Sequence, residues 1–178
     1  MDNANAAIDK STVAGIVLAG GRSSRMGRDK ALIEFNCTPL MDRSVKLLSD
    51  YGVRDVKVSG NYEGYNCIPD PQAHIGPAAA LAHILRAFYR DSLYDYVLAL
   101  AVDMPYVDSK ILDDLLEHPE GAYFNGKHFP ALLPVRQIES DFKNEAVLAL
   151  YDALALKSLS TSSYGPDTFK NLNTPQDV

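Results

Sequence analysis

Apolar residues along this chain alternate between short continuous runs and segments with helical spacing. The run at Val13–Leu18 predicts a buried strand, and the run at residues 96–102 predicts a central strand that is buried on both faces. Between them, four apolar residues recur at helical spacing: Leu81, Ile84, Leu85 and Phe88. Strands that alternate with helices in this way are typical of an α/β domain with a mostly parallel sheet.

The first helix is predicted to follow the first strand and a loop. Thr38 is expected to cap this helix, with Pro39 at its first position. Apolar residues from Met41 to Leu48 recur at helical spacing, and Gly52 suits the end of the helix.

The remaining chain continues the alternation. Val56 and Val58 predict a strand that ends near residues 59–61, Gly76 and the proline after it open a helix, and Asp108 can cap another. The C-terminal part is predicted to hold strands at 122–124 and 131–135, a helix at 141–156, a strand at 168–172 and a final helix beginning at 173–175.

Length and charge limit the classes of function. The 178 residues suit one domain, predicted at residues 13–178, after a flexible N-terminal extension at residues 1–12 that lacks an apolar signal core. A net charge of -6 argues against nucleic acid and membrane partners, and no apolar run is long enough to span a bilayer. Cys37 and Cys67 have no metal-site spacing, which is typical of reduced thiols in a cytoplasmic protein.

A glycine-rich, basic loop follows the first strand and predicts a phosphate-binding site. Gly20 and Gly21 let the backbone approach an anion closely, and the N–H groups of residues 19–23 can hold it. Arg25 and Lys30 add a planar fork and a point charge for phosphate oxygens, with Arg22, Ser23 and Arg28 beside them. The loop matches neither the P-loop pattern nor the dinucleotide-binding fingerprint.

A carboxylate follows the central strand. Because ligands of open α/β sheets bind beyond the carboxyl ends of the strands, Asp103 is expected at the same edge as the glycine-rich loop. A carboxylate that faces a polyphosphate needs a cation between them, and Mg²⁺ is the usual mediator. Asp103 could instead serve as a turn or cap residue, but the phosphate loop favours the metal role.

Residues Leu18 to Lys30 match L-x-G-G-x-x-x-R-M-G-x-D-K at every specified position, and this resembles the molybdenum cofactor guanylyltransferase family. Further similarities follow in order: Asp70 before Gly76-Pro77, Asp103-Met104-Pro105, and Asn171-Leu172-Asn173-Thr174-Pro175. The sequence departs from the family at His128-Phe129-Pro130, where the family carries His-Pro. Ser59 stands where family members often carry an asparagine, with Asn61 two residues later.

The resemblance implies a three-layer, Rossmann-like, mostly parallel sheet with helices on both faces, of the nucleotide-diphospho-sugar transferase type. It implies transfer of GMP from GTP to molybdopterin with release of pyrophosphate and with Mg²⁺ as the cofactor. The implied nucleotide-binding residues are Leu18, Ala19, Gly20, Gly21, Arg22, Ser23, Lys30, Ser59, Asn61, Asp70 and Asp103. Arg25, Lys30 and Asp103 are the implied catalytic residues, and Asp103 is the implied metal ligand.

The acceptor and the base are less well specified than the phosphate loop. His128, Asn171 and Asn173 are the candidates for the acceptor site. A sister transferase, acting with CTP on the same pterin or on a sugar or alcohol phosphate, would carry a similar loop and aspartate. A nucleotide-binding module without catalysis is the other alternative. A labile acceptor also suggests handover contacts with other proteins of cofactor biosynthesis.

Overall fold

A seven-stranded sheet organises the fold in a computed structural model that describes residues 7–19, 29–70, 76–138, 146–173 and 177. The strands are β1 Val13–Leu18, β2 Glu34–Phe35, β3 Thr38–Pro39, β4 Asp55–Ser59, β5 Cys67–Ile68, β6 Tyr96–Ala101, β7 Ala122–Phe124, β8 Ala131–Pro134 and β9 Lys157–Leu159. The helices are α1 Leu40–Tyr51, α2 Pro77–Asp91, α3 Ser109–Leu116 and α4 Val147–Ala153.

The order of strands in the large sheet is β5-β4-β1-β6-β8-β7-β9. β4, β1 and β6 are parallel neighbours, whereas β8 is antiparallel to both β6 and β7. From β1 the chain crosses through α1 to one side, and it then returns through α2 to the other side of β1. Right-handed crossovers in opposite directions place their helices on opposite faces, so the order reverses between β1 and β6.

The two central strands form the core, as their apolar runs predicted. Every residue of β1 is buried, as are the four inner residues of β6. Gly15 lets α1 pack closely on β1, because a Cβ there would lie 3.0 Å from Leu48 Cδ1 and 3.1 Å from Val53 Cγ2. The face of α2 predicted at residues 81–88 is likewise buried.

The start of α1 differs from the prediction that Thr38 caps it. Thr38–Pro39 instead pairs with Glu34–Phe35 as a short hairpin, whose turn residues Asn36 and Cys37 have φ of 51° and 60°. Two consecutive positive φ values are typical of the turns that match the twist of paired strands. Pro39 keeps an extended backbone, and α1 begins one residue later, while its end at Gly52 (φ 87°) is as predicted.

The C-terminal part differs further from the prediction. Residues 168–172 form no strand, since β9 occupies the edge position beside β7. The strand β9 itself was not predicted from the sequence. The predicted helix at 141–156 is α4 in its described part, which begins at Val147 because Ala146 is extended (φ -83°, ψ 126°). Thr174 and Pro175, where a final helix was predicted, lie outside the described residues.

Part of the predicted N-terminal extension packs on the domain. Lys10–Thr12 forms a 3₁₀ helix capped by the Asp9 side chain, which accepts from Ser11 N at 2.9 Å. Lys10 Nζ donates to the carbonyl of Tyr51 at 3.1 Å and lies 3.5 Å from the centroid of its ring. These contacts tie residues 9–12 to the end of α1.

The longest described helix, α2, has 15 residues. None of the helices that the structure describes is both long and apolar enough to cross a membrane. Both cysteines are free thiols, with Cys37 exposed and Cys67 half-buried.

Candidate active site

A cavity of about 470 Å³ opens at the carboxyl ends of β1 and β6, where the strand order reverses. Its lining comes from the ends of β1 and β6, the β7–β8 turn and the C-terminal loop, together with Lys30 and with Pro77 at the start of α2. The lining residues predicted as functional are Leu18, Ala19, Lys30, Asp103, His128 and Asn171. The volume falls within the range of about 300–1,000 Å³ that is usual for small-molecule sites.

Lys30 opens a 3₁₀ helix, Lys30–Leu32, that fixes the course of its backbone. The Asp29 side chain caps this helix by accepting from Ala31 N at 3.0 Å, and the Ala31 side chain is fully buried. The Lys30 side chain keeps only 20% of its surface exposed. The ammonium group is thus carried to the cavity from a short, well-anchored turn.

Asp103 follows β6 and is held by the backbone on two sides. Val102 N donates to Leu18 O at 3.1 Å, which extends the β1–β6 ladder, and Leu172 N donates to Asp103 O at 2.9 Å. The second contact joins the C-terminal loop to the end of the central strand. The Asp103 carboxylate itself is 14% exposed.

Three predicted site residues meet at the Lys30 ammonium. Lys30 Nζ donates to Asp103 Oδ2 at 2.9 Å and to Asn173 Oδ1 at 3.0 Å. One carboxylate oxygen and one amide oxygen therefore contact the same ammonium group, although Asp103 and Asn173 lie 73 and 143 positions from Lys30 in sequence. The sequence motifs at the two ends of the chain form one cluster.

The turn between β7 and β8 forms another wall of the cavity. It carries Lys127 and His128, and it is closed by a hydrogen bond from Lys127 N to Phe124 O at 2.9 Å. The buried Tyr151 hydroxyl donates to the carbonyl of His128. This anchor fixes the backbone of His128 and leaves its side chain exposed at the rim.

An aromatic cluster holds the C-terminal loop against this wall. The Phe169 ring packs 4.8 Å from Phe124 and 5.3 Å from Tyr164, measured between ring centroids. The Tyr164 hydroxyl donates to the Asp114 carboxylate on α3. The apolar Phe169 contributes to the strand-like sequence pattern of residues 168–172. In the structure its side chain is buried, but the backbone there is an irregular loop.

Ser59, Asn61 and Asp70 form a separate group that does not line the cavity. Ser59 is 2% exposed, and its hydroxyl donates to Asp70 Oδ1 at 2.7 Å. Asn61 is exposed after β4. Ser59 therefore acts on the Asp70 carboxylate, whose direction it fixes.

Tyr62 joins this group to the start of the glycine-rich loop. Its hydroxyl donates to Ala19 O at 3.3 Å. Burial, with the nearby carboxylates of Asp29 and Asp70, raises the pKa of Tyr62, so the hydroxyl remains a neutral donor. The sequence reading did not assign Tyr62 to the site, since a tyrosine in a loop is most often simply exposed.

Several predicted site residues lie outside the described part of the chain: Gly20, Gly21, Arg22, Ser23 and Arg25, with Arg28. Ala19 and Lys30, on either side of these residues in sequence, both line the cavity. The contacts that place Lys127 and Phe169 there come from elements distant in sequence, and no motif signalled them.

The charged side chains described around the cavity favour an anion. The described lining carries two positive side chains, Lys30 and Lys127, and one negative side chain, Asp103. The whole chain, by contrast, carries a net charge of -6. A local excess of positive charge in an acidic protein is typical of a pocket that binds phosphate groups. In the described part of the chain, no cluster of three or more His, Cys, Asp or Glu side chains could hold a metal ion without further ligands.

Known proteins are similar to this sequence over most of its length. Residues 15–152 match the family model for the MobA-like NTP transferase domain. A molybdenum cofactor guanylyltransferase of Xanthomonas euvesicatoria pv. vesicatoria is 32% identical over 173 residues, covering 91% of this chain and 90% of its own. A protein of the same description from Rhizobium johnstonii is 31% identical, covering 96% of this chain and 92% of its own.

Solved structures share the fold. Molybdopterin-guanine dinucleotide biosynthesis protein A of Archaeoglobus fulgidus superimposes with a TM-score of 0.66 at 19% identity, covering 92% of this chain and 94% of its own. The likeness confirms the predicted α/β fold of the nucleotide-diphospho-sugar transferase type. By its family model and its relatives, the chain belongs to the MobA-like NTP transferases, within the molybdenum cofactor guanylyltransferase family.

Proposed function

We propose that this protein transfers GMP from GTP to molybdopterin and releases pyrophosphate, which gives molybdopterin guanine dinucleotide. The observation that carries the proposal is the meeting of Lys30, Asp103 and Asn173 at 2.9–3.0 Å beside a cavity of about 470 Å³. These are the charged and amide side chains that the family motifs specify. Relatives covering about nine-tenths of the chain carry the guanylyltransferase description.

The reaction needs electrostatic stabilisation more than acid–base catalysis. An oxygen of the acceptor phosphate attacks the α-phosphorus of GTP, and the bond from that phosphorus to the bridging oxygen of the β-phosphate breaks. Since the second pKa of a phosphate monoester is about 6, the acceptor is already ionised at neutral pH. The obstacle is the approach of two anions and the charge that develops on pyrophosphate, which positioned cations reduce.

Different groups of the chain would bind the phosphates, stabilise the leaving group and contact the nucleoside. The backbone N–H groups of residues 19–23 would hold the phosphates, while Arg25 and Lys30 would stabilise the leaving pyrophosphate. Lys30 suits this role because its ammonium lies at the cavity wall, where a phosphate can replace its contacts with Asp103 Oδ2 and Asn173 Oδ1. Asp70, directed by Ser59, would contact the nucleoside.

The donor set at Asp103 fits a magnesium ion shared with substrate. Mg²⁺ prefers oxygen ligands and is commonly held by one or two carboxylates together with substrate phosphates. Asp103 Oδ2 and Asn173 Oδ1 already converge on one cation, the Lys30 ammonium. Asp103 and Asn173 would hold the metal, which when bound would neutralise charge on the nucleotide phosphates.

The direct test is magnesium-dependent pyrophosphate release with molybdopterin and each of GTP, CTP, ATP and UTP in turn. Release with GTP alone is the expected result. Release with CTP in place of GTP would assign the protein to the sister transferases and would make Ser59 the residue to study. Nucleotide binding without pyrophosphate release from any of the four would contradict the transferase assignment.

The Ser59→Ala variant is expected to bind GTP about 5- to 10-fold more weakly, the usual cost of about 1 kcal/mol for one lost hydrogen bond. The lost contact is the 2.7 Å bond that directs Asp70 Oδ1. The measurement is the dissociation constant for GTP by titration calorimetry. Ser44→Ala is the matched control, since Ser44 is also buried and hydrogen-bonded but donates to Leu40 O within α1. An equal change in both variants would contradict a positioning role for Ser59.

The reaction is proposed to take place in the cytoplasm. Cys37 and Cys67 are both free thiols, as is usual in a reducing compartment. A fluorescent-protein fusion observed in the native cell would test this location directly, and a signal confined to the cell envelope would contradict it.

A further inference from the structure

Lys127 lies at the cavity in a position that no sequence motif specifies. It sits in the β7–β8 turn after Gly126, whose φ of 71° bends the chain there. The side chain is half-buried, and its Nζ lies 5.9 Å from the centroid of the Phe169 ring. Phe169 lines the same cavity and is itself fixed by the aromatic cluster. The ammonium group is thus held at the wall by apolar packing.

Among the described residues, no carboxylate forms an ion pair with Lys127. Four of the seven other described lysines, namely Lys30, Lys46, Lys157 and Lys170, have an acidic partner within 4.0 Å. An ammonium that is partly withdrawn from water and lacks a counter-charge gains from an anion that enters beside it. Lys127 is therefore a candidate anion-binding group on the cavity wall.

The order of elements along the sheet edge indicates which substrate anion Lys127 would bind. The glycine-rich loop follows β1, Asp103 follows β6, and the Lys127 turn lies beyond, since β8 and β7 come next in the sheet. Asp103 is thus between the carboxyl end of β1, where the proposed phosphate-binding loop begins, and the turn that carries Lys127. In transfer at phosphorus, the attacking and leaving oxygens lie roughly in line on opposite sides. The attacking acceptor belongs on the Lys127 side.

We propose that Lys127 binds the phosphate monoester of the acceptor and holds it against the α-phosphate of the nucleotide. This inference rests on the proposed function for the identity of the acceptor. It assigns the β7–β8 turn as the acceptor wall, with His128 beside Lys127 at the rim.

The Lys127→Ala variant tests the inference through binding and kinetics together. We expect KM for molybdopterin to rise about 10- to 100-fold, as for a lost charge-assisted hydrogen bond, while the dissociation constant for GTP stays within about twofold. Lys127→Arg should restore most of the affinity, because it keeps the charge. Lys157→Ala is the charge-matched control, since Lys157 is half-exposed, pairs with Glu120 and does not line the cavity.

Direct binding of molybdopterin, followed by its fluorescence without nucleotide, separates this inference from the proposed function. Binding by wild-type protein that Lys127→Ala weakens supports the inference even if no GMP transfer occurs, in which case the proposed function alone is wrong. Equal binding by wild type and Lys127→Ala would overturn the inference, and so would an absence of binding by wild type. Weakened GTP binding in Lys127→Ala would overturn it too, since it would assign Lys127 to the nucleotide.

Discussion

The Asp103→Asn variant is expected to transfer GMP with a kcat about 10²- to 10³-fold below that of the wild type, as is usual when one preorganised electrostatic group is removed. Asparagine keeps the size of the side chain but removes its negative charge. The Lys30 ammonium then loses the carboxylate that it contacts at 2.9 Å, and the proposed metal loses its charged ligand. The measurement is steady-state pyrophosphate release at saturating GTP and molybdopterin.

The fold should survive this substitution, because the backbone contact between Asp103 O and Leu172 N does not involve the side chain. The melting temperature is therefore measured beside activity. Asp91→Asn is the control, since this carboxylate lies on the surface at the end of α2 and pairs with Arg90. A kcat for Asp103→Asn close to that of Asp91→Asn would contradict the role given to Asp103.

The Lys30→Met variant is the second large expected effect, with a kcat also about 10²- to 10³-fold below wild type. Methionine keeps an unbranched apolar stem and removes the ammonium group that is proposed to stabilise the leaving pyrophosphate. Lys46→Met is the matched control, because Lys46 is 75% exposed and pairs with Asp50 on α1. Turnover by Lys30→Met within a few-fold of that control would show that Lys30 has no role in the reaction.

Metal binding separates the two roles, because the variants should change it in opposite directions. In nucleotide-free protein, Lys30 Nζ lies where it competes with a cation for Asp103 Oδ2. Lys30→Met should therefore tighten Mn²⁺ binding, by about tenfold or roughly 1.4 kcal/mol. Asp103→Asn should weaken it. Paramagnetic resonance of free Mn²⁺ measures both, and a change of the same sign in both variants would contradict the competition.

The elements that build the site could be predicted because their signals are local. The apolar runs of β1 and β6 exist because both strands are buried on both faces, and ligands of such sheets bind at the carboxyl ends. Lys30 and Asp103 were expected at the same edge on that ground, and the structure brings them to 2.9 Å. The helix capped by Asp108 was likewise local, with its side chain accepting from Ile111 N.

The parts that could not be predicted depend on contacts between distant residues. Residues 168–172 have a strand-like pattern, but Phe169 is buried against Phe124 while the backbone stays irregular. The Asn36-Cys37 turn lacks the glycine that marks most tight hairpins, so the sequence predicts a helix start at Thr38–Pro39 where the structure has a strand. Lys127 could not be predicted as a site residue, because its position at the cavity depends on the folded structure and no spacing in the sequence indicates it.

GMP transfer is tested most directly by incubating the purified protein with Mg²⁺, molybdopterin and GTP labelled with ³²P at the α-phosphate. The expected result is that the label moves into a product with the mass of molybdopterin guanine dinucleotide, that one pyrophosphate is released for each product, and that Asp103→Asn nearly abolishes both. Label that stays in GTP or appears only as GMP, with molybdopterin recovered unchanged, would contradict it.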